Sequence, residues 1–91
     1  METHADLMVR IRDLSRILPE NTEVRALLFA AYKKDWSEFE GILYGMHDIR
    51  DMSYNDPATE DAKCLYDGID EWYTRNVYDT EPVYVKRGYK A

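Results

Sequence analysis

The sequence predicts an all-α fold: a small antiparallel bundle of three helices, or four if the second breaks near Lys34–Asp35, with an extended C-terminal tail. Two observations carry this. Apolar residues recur at steps of three and four along three stretches, the spacing of a helix with one buried face. Residues suited to starting and stopping helices (Thr3, Pro19, Asp56 and Pro57 among them) fall at the edges of those stretches. The chain has 91 residues, 45% hydrophobic and 33% charged, which is enough apolar material for one modest core and too much for a disordered chain. A helical domain is expected over residues 1–80 and the tail over 81–91.

The first helix is read from about Ala5 to Leu18. Leu7, Ile11, Leu14 and Leu18 form its inner stripe, and Arg12 and Arg16 fall on the outer face. Thr3 with Asp6 reads as an N-terminal capping pair, and Pro19 disfavours helix at Leu18. The second is read from Glu23 to Met52, capped by Asn21 or Thr22. Its stripe is Val24, Leu27, Leu28, Ala31, Phe39, Ile42, Met46 and Ile49, widened by Tyr32, Trp36 and Leu43. The apolar centres of its two halves differ by only about 40°, which favours one unbroken helix of about 45 Å. Asp35 objects, since it falls inside the stripe and forms a capping pattern with Glu38. An unbroken helix would overhang a globule with a radius of gyration of about 12 Å, so either a homodimer or a bend is expected. The third helix follows Asp56 and Pro57, with Ala58, Ala62, Leu65, Ile69 and Trp72 inward and Tyr66, Tyr73 and Val77 flanking; it should end near Tyr78. The passage from Tyr32 to Phe39 resembles the turn of tetratricopeptide-like helical hairpins. The usual turn glycine and a second repeat are missing, so no family is assigned from it.

Charge is the most informative bulk property. Residues 1–34 carry five acids and six bases, net +1. Residues 35–81 carry thirteen acids and three bases, net −10, and residues 82–91 add three bases. Such a middle repels nucleic acid and anionic membrane and attracts basic surfaces. The candidate docking face is therefore Asp48, Asp51, Asp56, Glu60, Asp67, Asp70 and Glu71, with Asp61 at its flank. Tyr44, Tyr54 and Tyr78 fall off the apolar stripes and are the candidate aromatic anchors. Mimicry of DNA is not expected: a duplex carries about 18 charges over 30 Å, against five acids on the third helix. The tail residues Tyr84, Lys86, Arg87, Tyr89 and Lys90 interleave aromatic and basic side chains, a pattern that can serve nucleic-acid binding or pairing with a partner.

No catalytic chemistry is legible. Glycine-rich phosphate loops and paired cysteines are missing, and two histidines do not select a triad. Glu40, His47 and Asp51 share a face on the unbroken-helix reading, but their spacings of 7 and 4 lack a Glu-x-x-His or His-x-x-x-His pair, so they are read as solvated and no metal or cofactor is expected. Cys64 lies off the stripe among acids that disfavour a thiolate. Gly41 and Gly45, a turn apart, read equally as a close helix crossing or a flexible kink. No basic-then-apolar leader follows Met1, and one cysteine cannot form an internal disulfide, so a cytoplasmic setting is expected. The expected function is a non-enzymatic protein–protein interaction module, a small acidic inhibitor or antagonist of the phage anti-defence type, binding a basic surface of a protein partner, of the kind that nucleic-acid-binding proteins present. The alternative is a regulatory or nucleic-acid-associated protein that uses the basic tail.

Overall fold

Five helices account for nearly all of the described chain in the computed structural model, which describes residues 3–51 and 57–78, the side chains of His47 and Ala58 excepted. They are α1 (His4–Ile17), α2 (Thr22–Lys33), α3 (Trp36–Gly45), α4 (His47–Arg50) and α5 (Pro57–Asn76). Tyr54, Asp56 and the tail candidates Tyr84, Lys86, Arg87, Tyr89 and Lys90 lie outside the described residues.

The helix starts have the chemistry the sequence suggests. The Thr3 hydroxyl accepts from the Asp6 N–H, and the Asp6 carboxylate accepts from the Thr3 N–H at 2.8 Å, a complete capping box. The Thr3 backbone hydrogen bond, helped by the Thr3 hydroxyl and Arg10 and opposed by partial desolvation, holds the Asp6 carboxyl below its usual range. The Asn21 side chain accepts from the N–H groups of Glu23 and Val24 and starts α2.

The long second helix does not form. Lys34 adopts the left-handed conformation, with φ at 58°. The Asp35 N–H then reaches back to the Ala30 carbonyl at 3.0 Å and the Lys34 N–H to that of Ala31 at 3.1 Å, which closes α2. The Asp35 carboxylate accepts from the Glu38 N–H and starts α3. A second interruption falls at Met46, ahead of the single turn of α4. So the broken alternative holds, α2 and α3 form a hairpin, and the overhang that invited a dimer is gone. The Cα radius of gyration is 13.2 Å, near the compact expectation of about 12 Å.

The packing is antiparallel throughout. Trp72 Nε1 donates to the Thr3 carbonyl at 3.1 Å and Arg10 Nη1 to the Gly68 carbonyl at 3.1 Å, so α5 descends as α1 rises. His4 Nε2 lies 2.8 Å from the Ala31 carbonyl, which ties the start of α1 to the end of α2. Between α3 and α5, the Tyr66 hydroxyl donates to the Leu43 carbonyl at 2.8 Å and the Tyr73 hydroxyl to Glu40 at 2.6 Å. The core is Leu7, Ile11 and Leu14 of α1; Val24, Leu27, Ala30 and Ala31 of α2; Phe39 and Leu43 of α3; Met46 and Ile49 around α4; and Ala62, Tyr66, Ile69, Trp72, Tyr73 and Val77 of the last segment. The α5 stripe is rotated from the predicted one: Tyr66 and Tyr73 are fully buried, and Leu65 sits at the edge. A Cβ on Gly68 would come within 3.3 Å of Arg10 Nη1, so Arg10 lies directly against α5 at this point.

Candidate interaction surfaces

The acidic face is built on α5 and extended by α4. Glu60, Asp67 and Glu71 recur at steps of seven and four, so they line one side of α5 over about 16 Å. All three are exposed, as are Asp61, Asp48 and Asp51. Two of the predicted members are engaged internally. Asp70 accepts from Arg50 at 2.9 Å, and Glu71 is paired with Arg75 at 2.8 Å one turn on.

Arg50 fixes α4 onto this face. Its guanidinium lies over the Tyr66 ring, 5.4 Å from the centroid, while bonded to Asp70. Burial opposes its charge, but Tyr66, the Asp70 hydrogen bond and the charges of Asp70 and Asp67 outweigh this and raise its pKa. Burial likewise pushes the Tyr66 phenol up. Arg50 pulls it back, and Asp70 and Asp67 push it further.

Of the candidate aromatic anchors, the two within the described residues lie at the edge of the core. Tyr44 and Tyr78 are half-buried, with their rings edge-on to Tyr73 at 6.3 and 6.4 Å. They close the edge of a cluster in which His4, Trp36, Phe39, Trp72 and Tyr73 meet at 5.2 to 6.4 Å. Glu40 is not on a solvated face. It is 9% exposed, the single charged side chain in the core among the described residues, and the Tyr73 hydroxyl donates to it. The break at Met46 separates it from α4 and from Asp51, which follows the end of α4, so the unbroken helix on which the shared face with His47 and Asp51 rested is absent. Among the described residues no group of three His, Cys, Asp or Glu side chains is arranged to hold a metal ion. Cys64 is exposed, and a Cβ on Gly41 or Gly45 would meet nothing within 4 Å, so no described helix crosses closely there.

A second surface was not anticipated. Between α1 and α2 lies an open groove of about 300 Å³, lined by Met8, Arg12, Leu28, Phe29 and Tyr32. It continues along α1 past Ala5 and Val9 towards His4. Phe29 is 69% exposed, Tyr32 72% and Val9 50%, and these are the large apolar side chains left to solvent among the described residues. Assigning Tyr32 to the core stripe is therefore corrected. The signal available was the pair Phe29 and Tyr32, three apart and on the far side of α2 from Leu27 and Ala31.

No family model, curated protein or solved structure matches the chain. No described helix is long and apolar enough to cross a membrane.

Proposed function

We propose that the protein is a non-enzymatic interaction module that engages a basic surface of a protein partner through the acidic side of α4 and α5. The observation that supports this is the placement of Asp48, Asp51, Glu60 and Asp67, all exposed on elements that Arg50 holds together. Carboxylates fixed on a packed scaffold present their potential without an ordering cost at binding, and they accelerate encounter with a basic surface. Asp70 and Glu71 serve the scaffold through Arg50 and Arg75 and contribute less to a partner.

The specific form we favour is a small acidic antagonist of the phage anti-defence type, acting in the cytoplasm by covering a basic surface that its target uses. Small size, net charge of −6 and helical build support that form. The test compares the intact chain with a variant carrying Asp48→Asn, Asp51→Asn, Glu60→Gln and Asp67→Asn, each offered to lysate at low and high salt. A partner held by charge is captured at low salt, released as the screening length falls from about 10 Å at 0.1 M to about 3 Å at 1 M, and lost by the variant. Capture that ignores both salt and the four substitutions refutes the reading.

A further inference from the structure

We propose that the groove between α1 and α2 is a second docking site, independent of the acidic face, and that it takes an amphipathic helix of a partner protein with carboxylates along its edge. Three features specify the occupant. The floor and walls are apolar, from Met8, Leu28, Phe29 and Tyr32, and Phe29 and Tyr32 stand largely in solvent. Exposed apolar side chains gathered in a concavity mark sites of association, whereas singly scattered ones do not.

The polar part of the lining is cationic and unspent. Arg12 makes no hydrogen bond or ion pair among the described residues. By contrast, Arg16 is paired with Asp13, Arg25 donates to the Pro19 carbonyl at 2.6 Å, and Lys33 is bonded to Glu38. A guanidinium beside an apolar channel calls for a carboxylate on an apolar body. The backbone decides the occupant's conformation. Every wall of the groove is helix, whose N–H and C=O groups are already paired, so an extended segment finds no edge to bond with. A helix brings its own hydrogen bonds and lays an apolar stripe between α1 and α2. The stretch from Ala5 to Arg12 is about 10 Å long, which matches about two turns of such a helix.

The probe is a capped synthetic helix of about 15 residues, with leucines at steps of three and four and glutamates flanking them, titrated into the full chain beside a lysine-flanked counterpart. The glutamate peptide binds roughly tenfold tighter than the lysine peptide, and Arg12→Glu inverts that order. Phe29→Ser weakens both roughly tenfold, and amide shifts map to α1 and α2. Arg12 and Phe29 are exposed, so neither change disturbs the core, and far-UV circular dichroism confirms that the variants fold. The variant lacking the four acidic-face carboxylates binds the glutamate peptide as the intact chain does, so this proposal and the preceding one fail separately. Equal affinity for the two peptides, indifference to Arg12→Glu, shifts centred on α5, or no binding would overturn it. So would a dimeric solution mass that Phe29→Ser returns to monomer, since a second copy would then fill the groove.

Discussion

Tyr66 joins three parts of the molecule with one side chain. Its ring is buried, its hydroxyl donates to the Leu43 carbonyl, and its face carries the Arg50 guanidinium. Removing the hydroxyl in Tyr66→Phe takes away one of the two donors to the Leu43 carbonyl, which keeps the Met46 N–H at 3.2 Å, a loss of about 1 kcal/mol near neutral pH. The phenol is held above the ordinary tyrosine range, first by burial. A raised folded-state pKa means that the neutral form is favoured by the fold. That contribution is intact below the unfolded pKa and disappears as pH rises through the folded one. The gap in urea midpoint between the intact chain and Tyr66→Phe should therefore be widest at neutral pH and narrow above about pH 10, because the phenylalanine has nothing to ionise there. A gap that stays constant across that range would show that Tyr66 does not titrate differently in the two states. Tyr73 and Glu40 show the same logic without a titration argument: a carboxylate in the core is tolerated because a phenol donates to it at 2.6 Å.

At the level of elements, the decisive position is Lys34. It holds a left-handed conformation that costs a side-chain-bearing residue roughly 1–2 kcal/mol, and it does so because Asp35 caps the next helix at once. Lys34→Gly should accordingly stabilise the protein by about 1 kcal/mol, measured as a higher urea midpoint. In the interior of an unbroken helix the same change would destabilise by a similar amount, so the sign alone decides between a hairpin and a rod. Asp35→Ala should cost about 1 kcal/mol in the same assay. This junction also shows what was legible. Thr3, Asn21 and Pro57 announced three helix starts because capping and proline geometry are local. Asp35 with Glu38 announced the fourth, but stripes only about 40° out of phase argued for continuity, and glycine is missing where a helix end most often uses it. At Met46 the local sign was Gly45, which reads equally as a close crossing or as a kink and so did not decide the break. The acidic side of α5 was readable from charge and period, since solvated residues need no tertiary information. The groove was not, because Phe29 and Tyr32 mark a second apolar side of α2 without saying which side the bundle covers; Leu27 and Ala31 are buried and Phe29 is bare.

Across the whole molecule, charge is sorted by position in the bundle. Residues 3–34, which form α1 and α2, carry six bases and four acids, net +2. Residues 47–51 and 57–78, which form α4 and α5, carry seven acids and three bases, net −4. The negative side works against the fold that holds it, because like charges fixed on two adjoining elements repel more when folded than when spread along an open chain. The pairs Arg50–Asp70 and Arg75–Glu71 recover little of this, as exposed ion pairs contribute about 0–1 kcal/mol each. Moving from about 10 mM to 150 mM salt shortens the screening length from about 30 Å to about 8 Å, which weakens repulsion across the face more than it weakens pairs in direct contact. The thermal midpoint should rise by about 2–4 °C over that interval, corresponding to roughly half a kcal/mol in a domain of this size. Glu60→Gln with Asp61→Asn and Asp67→Asn should raise the midpoint at low salt and remove most of the salt response. A midpoint that is flat or falls with salt in the intact chain would mean that attractive pairs dominate this side. Repulsion of that kind is what a basic partner would relieve on docking, so a face that weakens the isolated fold strengthens the complex, and the same three substitutions should move stability and binding in opposite directions.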